Sequence, residues 1–295
     1  MKPNDTQPNP RLFTAKKLNS TARKGCAAVF GLAFLASSAG YGQVSSINSV
    51  YMDPRVFDDV PTATYTGVDS YPGLVSLSEA NVTSSTGFAN RDVWYFSNNG
   101  GTSAYQFQNN DYFNASFSIT LTGGTPNYDI EAGWLFSNPS GNFGGDLQEI
   151  VAGSGVVAQF GGPSYYPFSP AAGGYPGMGG SVPNYVEGMT YVLGLNYVVD
   201  PNTGQNAFEY SVNGQYAASA PGNPYFDLGA GVGIGGPGNF LGGYFQIGTV
   251  PNDPANGGTA VFSNISITPV PEPSSLILMG AGVISVLPRL MRRRA

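Results

Sequence analysis

The sequence predicts an all-β protein built as an antiparallel sandwich, and three observations carry that expectation. Its 295 residues include 42 glycines and 23 prolines, a density of chain-reversing residues that suits many strands joined by turns. Apolar residues make up 41% and aromatic residues 13%, too much hydrophobic material for a chain kept unfolded by solvation. Between residues 43 and 269, apolar side chains recur with period two, and no stretch sustains a helical period.

The chain opens on a basic leader, residues 1–24, with Lys2, Arg11, Lys16, Lys17, Arg23 and Lys24. Residues 27–36 read AAVFGLAFLA, and small residues follow to Gly42. A basic start, a short apolar run and a small-residue exit predict a signal peptide over 1–42, carried by a signal helix. The Sec translocon would read it and signal peptidase would remove it. The run falls short of the ~20 apolar residues that a membrane span needs. Cys26 is the single cysteine and precedes the run, so the processed chain needs no disulfide.

Residues 43–269 are expected to form one acidic ectodomain. Sixteen acidic residues face only Arg55 and Arg91, a net charge of −14. Such a surface repels nucleic acid and anionic headgroups and leaves neutral glycans, divalent cations or basic proteins as partners. Strands are expected at 92–96 and 104–108. In 113–122 Phe113, Phe117, Ile119 and Leu121 alternate with Asn114, Ser116, Ser118 and Thr120. In 128–136 Tyr128, Ile130, Ala132, Trp134 and Phe136 share one face. Further strands are expected at 149–151, 156–160 and 191–199. A turn at 200–204 leads to 207–212, and Asn213-Gly214 supplies the positive-φ pair of a tight hairpin returning at 215–219. The last strands are expected at 230–234, 243–247 and 260–267, about a dozen in all. A Gly/Pro/Tyr-rich loop spans 161–188. Gly231, Gly233 and Gly236 fit a Gly-x-Gly-x-x-Gly spacing, but Pro237 and Gly238 stand where a helix would begin. Close packing along a strand is the better reading of these glycines.

The C-terminus reads Val270, Pro271, Glu272, Pro273, Ser274, then an apolar run, then Arg292, Arg293 and Arg294. A short transmembrane helix is expected over 276–291, with the arginines as a cytoplasmic stop-transfer signal. This tail, 270–295, resembles the PEP-CTERM sorting signal, also catalogued as an ice-binding-protein C-terminal domain. Pro288 and Arg289 depart from an uninterrupted span. The resemblance implies export, transient retention in the inner membrane, and processing near Pro-Glu-Pro by an exosortase. It implies delivery to the cell surface or to the extracellular matrix of a biofilm-forming bacterium that makes polysaccharide.

The ectodomain resembles the concanavalin A-like jelly roll of lectins and glucanases. The resembling stretches are RDVWYFSNNGG at 91–101, FNASFSITL at 113–121, the 191–219 meander and the closing strand at 261–270.

The residue inventory removes several chemistries. No histidine means no Ser-His-Asp triad and no His-ligated metal. No lysine lies in 43–269 and no Gly-x-Ser-x-Gly elbow occurs. Asp129 and Glu131 share a strand face, and Asn127-x-Asp129-x-Glu131 resembles the Glu-x-Asp-x-Glu of laminarinase-type glycosidases. Asn127 stands where that pattern has its first carboxylate, so the pair needed for double displacement is incomplete. The expectation is therefore a non-enzymatic, exosortase-sorted surface protein associated with extracellular polysaccharide. The alternative is a carbohydrate-binding, lectin-like module. Its binding residues would be Tyr165, Tyr166, Phe168 and Tyr175 of the long loop, with Asp129 and Glu131. A laminarinase-type glycosidase is more remote. Ice binding ranks last, because Thr62/Thr64 and Thr120/Thr122 are scattered pairs. No cofactor is expected. Ca2+ is the one metal that all-oxygen ligands would favour, at Asp53, Asp58 and Asp59 or at Asn109, Asn110 and Asp111.

Overall fold

The computed structural model describes residues 43–83, 87, 89–123, 130–137, 146–151, 156–159, 186–217, 219, 222–231, 233–235, 239–249, 253 and 255–270. The signal helix, the helix 276–291 and most of the long loop lie outside the described residues. Within them every regular element is a strand, apart from a 3-10 turn at Gln43–Ser46. The first strands are β1 (Ser49–Asp58), β2 (Thr64–Ser70), β3 (Leu74–Ala80), β4 (Ala89–Ser97), β5 (Phe113–Gly123) and β6 (Ile130–Ser137). Then come β7 (Asp146–Val151), β8 (Val156–Gln159), β9 (Thr190–Val199) and β10 (Asn206–Val212). The short β11 (Gln215–Tyr216) and β12 (Phe226–Asp227) precede β13 (Phe240–Gly248) and β14 (Gly257–Pro269).

The strands pair antiparallel into two sheets. The smaller runs β1-β4-β13-β6-β7-β8, and the larger runs β11-β10-β9-β5-β14-β3-β2 with β12 on β10. Alternation decides which side chains meet between them. From the larger sheet β5 contributes Phe113, Phe117, Ile119 and Leu121, all buried, while Asn114, Ser116, Ser118 and Thr120 face outward. From the smaller sheet β4 and β6 contribute Trp94, Phe96, Ile130, Ala132 and Trp134.

The centre of the sandwich is aromatic. Phe117 lies 4.2 Å from Trp134, centroid to centroid, and Phe262 meets Trp94 edge-on at 5.6 Å. Both contacts bridge the sheets, in the offset and edge-to-face geometries that ring quadrupoles favour. Trp134, Gly243 and Trp94 stand in one cross-strand row, with Gly243 in the middle. A Cβ at Gly243 would collide with the Trp94 indole, so the glycine makes room for two indoles side by side. The close-packing glycine therefore sits on β13, whereas Gly231 and Gly233, expected to pack along a strand, lie in none.

The structure departs from the expected strands in specific places. Neither 104–108 nor 230–234 is a strand. Tyr105 and Phe107 are buried, yet their amides bond singly, to the carbonyls of Phe96 and Asn239. The Gly235 amide donates to Asn109 Oδ1 at 2.6 Å, so this glycine segment hugs the 109–111 loop and joins no ladder. Conversely, β1, β2 and β3 were not expected. The edge strand β2 is exposed at nearly every position and shows no alternation, and β1 is interrupted by a register shift between Asp53 and Phe57. At that bulge Arg55 takes φ +56°, and its amide donates to Asp92 Oδ1 at 2.9 Å. Its guanidinium pairs with buried Glu79 at 3.0 Å and bonds the carbonyls of Pro61 and Ala63. This charge-assisted network offsets the cost of a left-handed backbone at a residue with a Cβ.

Candidate functional site

The outer face of the smaller sheet gathers polar groups that are far apart in sequence. Strand register places Glu131 (β6), Gln246 (β13) and Arg91 (β4) in one row across three neighbouring strands. Arg91 Nη2 donates to Glu131 Oε1 at 3.1 Å, and Arg91 Nε donates to Gln246 Oε1 at 2.6 Å. The next row reads Glu149 (β7), Gly133 (β6), Tyr244 (β13) and Val93 (β4). Here the Tyr244 hydroxyl reaches across β6 and donates to Glu149 Oε2 at 2.8 Å. The crossing is open because residue 133 has no side chain. A Cβ there would overlap the Gln148 carbonyl. The two rows are stitched together by Arg91, whose guanidinium carbon lies 4.5 Å from the centre of the Tyr244 ring.

Beyond these rows the same face turns apolar. Val93, Tyr95, Leu135 and Tyr244 form a second cluster, with Tyr51 and Phe240 packed against it, and the Tyr95 and Phe240 rings lie 5.6 Å apart. Arg91, Gln246 and Glu149 are buried, and Glu131 keeps 17% of its side chain exposed, so solvent meets the row mainly at Glu131. The set comprises a cation, an amide, two carboxylates and a phenol beside an aromatic floor. It can hold hydroxyls in a fixed array, and it can pass a proton between Tyr244 and Glu149.

Of the expected binding residues, the structure places Glu131 in this constellation. Ile130, Ala132 and Trp134 point into the core, and Glu131 stands on the opposite face. Asp129, Tyr165, Tyr166, Phe168 and Tyr175 lie outside the described residues. So do Pro271, Glu272, Pro273, Ser274, Arg292, Arg293 and Arg294. Val270 closes the described chain, its amide donating to the Tyr112 carbonyl at 2.9 Å. Arg91, Gln246, Tyr244 and Glu149 were not singled out in the sequence. The one available signal was that Arg91 and Arg55 are the only basic residues between positions 43 and 269.

One of the expected calcium residues is engaged within the chain. Asp111 is buried and accepts from the Tyr105 hydroxyl at 2.7 Å and the Gln108 amide at 2.9 Å, a bracket that closes its own loop. Burial and this bond push the Tyr105 phenol well up. Burial also raises the Asp53 carboxyl. Among the described residues no group of three or more His, Cys, Asp or Glu is placed to hold a metal ion.

Residues 269–294 match the family model of the PEP-CTERM protein-sorting motif. The motif implies an exported chain, sorted to the cell surface with a membrane anchor and processed by an exosortase. No curated protein matches the sequence. Among solved structures, an alginate lyase from Corynebacterium sp. is similar at 11% identity and TM-score 0.45, over 75% of this chain and 93% of that one. The metal-free carbohydrate recognition domain of Emp46p is similar at 10% identity and TM-score 0.39, over 71% and 89%. A GH131 β-glucanase catalytic domain from Podospora anserina is similar at 9% identity and TM-score 0.38, over 78% and 89%.

The expectation of a non-enzymatic chain is corrected by these matches, since alginate lyases and a β-glucanase catalytic domain are among them. The physical reason is on the sheet. A residue inventory removes imidazole and thiol chemistry, but carboxylates, a phenol and a guanidinium remain and are brought together by strand pairing. The likeness itself assigns no activity to this chain.

Proposed function

We propose that this protein is displayed at the cell surface or in the extracellular matrix, where its sandwich engages extracellular polysaccharide at the Arg91–Glu131–Gln246 row and the Tyr244–Glu149 pair. The observation that carries the reading is the sorting motif at 269–294, which implies export of the chain. The constellation supports the second half. Planar and charged donors beside aromatic rings are what a sugar, with hydroxyls on its rim and C–H groups on its faces, requires. On export the Sec translocon and signal peptidase are the first partners, and the tail is a transient inner-membrane anchor.

Two measurements test this. Intact mass of the protein recovered from the producing cell should show both termini shortened, the second near Pro271–Pro273. A full-length mass outside the cell would sink the sorting half. On an array of soluble oligosaccharides the wild type should bind, and Glu131→Gln and Tyr244→Phe should each weaken binding about tenfold, roughly one charge-assisted hydrogen bond. Unchanged binding in both variants would remove the site from the reading.

A second reading, turnover of the bound glycan, is favoured by the 2.8 Å Tyr244–Glu149 bond. In a chain without histidine, this phenol–carboxylate pair is a ready route for a proton. New reducing ends that appear with wild type and fade with Tyr244→Phe would establish it. Unaltered polymer would dismiss it.

A further inference from the structure

The larger sheet has an outer face of a different kind. Register sets Thr66, Ser78, Thr259 and Thr122 in one row across β2, β3, β14 and β5. The next row adds Ser76, Thr120 and Thr190 to Val68 and Val261. A third carries Ser263, Ser118 and Val192. Neighbouring hydroxyls bond each other, Ser78 to Thr259 at 2.6 Å and Thr120 to Thr190 at 2.7 Å. Each pair still has a donor and lone pairs to offer outward. Rows repeat about every 6.8 Å along the strands and about every 4.8 Å across them, which makes a regular hydroxyl grid.

Three of the exposed large apolar side chains stand on this same face: Val68 at 43%, Val192 at 41% and Tyr216 at 53% exposure. Tyr216 pairs across the hairpin with Ser211, and Asn196 Nδ2 donates to its hydroxyl at 3.3 Å. The three rows hold no charged residue, and Glu209, beside Asn196, lies two rows further along the strands. Both ectodomain arginines are held in ion pairs elsewhere, with Glu79 and Glu131. The face is therefore partly exposed, hydroxyl-rich, methyl-studded and nearly uncharged.

We propose that this face is a docking surface for an uncharged polysaccharide, which lies flat across the strands. The proposal rests on the reading that the exported chain meets polysaccharide, and it names the class. Sugar rings present hydroxyls at their edges and C–H groups on their faces, and the grid offers both complements at once. An anionic polymer finds no cation here. A second copy would bring a domain of the same −14 charge. The enclosed Arg91 row on the other sheet takes a short, soluble segment, whereas this face suits the side of a long or insoluble polymer.

The test is co-sedimentation of the full chain with an insoluble neutral β-glucan, with soluble oligosaccharide binding measured in parallel. Wild type should sediment with the glucan. Thr190→Glu and Val192→Glu should each lower retention at least tenfold, because a charge would have to be desolvated under the polymer. Tyr216→Ser, at the sheet edge, is the milder change and should reduce retention with an unaltered melting temperature. Val56→Glu, exposed on the other sheet, should behave as wild type. Full retention by all three face variants overturns the proposal. If soluble glycans still bind in that case, the proposed function stands without it. If no form binds any glycan, both fall. Ice-growth inhibition without glucan retention, or a dimer abolished by the same substitutions, also overturns it.

Discussion

At the residue scale, the most instructive group is Asp92. It lies on β4 between Asn90 and Trp94, fully buried, with one oxygen on the Arg55 amide and the other without a hydrogen-bond partner. Desolvation by burial is the largest influence on it and raises its pKa from 3.8 to about 7, and the nearby Glu79 charge adds to the rise. The Arg55 amide and guanidinium pull the other way and lose. A carboxyl whose pKa is raised in the folded chain holds its proton more tightly there than when unfolded. The stability this contributes is complete below the ordinary carboxylate range and is lost as pH climbs through about 7. Urea unfolding of the wild type should therefore show stability falling between about pH 4 and about pH 7. In Asp92→Asn the slope should flatten, with a gain at pH 8 of at most about 4 kcal/mol. Equal slopes for the two proteins would refute this account. Nothing in RDVWYF marks Asp92 as different from a surface aspartate. Its depth follows from β1 and β3 closing over β4, which is a matter of strand partners.

At the scale of elements, β13 organises the smaller sheet, pairing β4 on one side and β6 on the other. Its sequence FLGGYFQIG serves both faces in turn. Gly243 admits Trp94 and Trp134 to the core, while Tyr244 and Gln246 build the polar rows outside. Gly243→Val should force the indoles apart and lower stability by about 1–3 kcal/mol, read as a drop in melting temperature with loss of near-UV aromatic dichroism. An unchanged near-UV spectrum would show that the row tolerates a side chain. Strands such as β5, β9 and β10 were legible because one face is buried and the other solvated, so alternation is written in the residues. Strands β1 and β2 were not, since a bulge breaks one pattern and exposure erases the other. Glu131 was legible as an outward carboxylate. Its partners Arg91, Gln246 and Glu149 were not, because they come from strands 40, 115 and 18 positions away whose adjacency is a property of topology.

At the scale of the whole molecule, the sandwich is held by apolar and aromatic burial between two sheets, with two arginine-centred networks at its margins. A chain with one cysteine forms no internal disulfide, so its unfolding midpoint should be the same with and without reductant. A shift on reduction would reveal an intermolecular bridge through Cys26. The C-terminal sorting motif was readable without any fold, because sorting machinery recognises linear order: Pro-Glu-Pro, then an apolar run, then arginines. Composition likewise determined the acidic, histidine-free character of the ectodomain and its all-β nature. Only the tertiary structure decided which outward residues stand side by side. Thr120 and Thr190 are 70 positions apart and their hydroxyl oxygens lie 2.7 Å apart, and scattered threonines became a grid only when five strands were laid in register. A strand specifies which face each side chain takes, by its period of two. Which side chains share that face with it is set by the pairing of strands, and that pairing is a long-range choice made by the core.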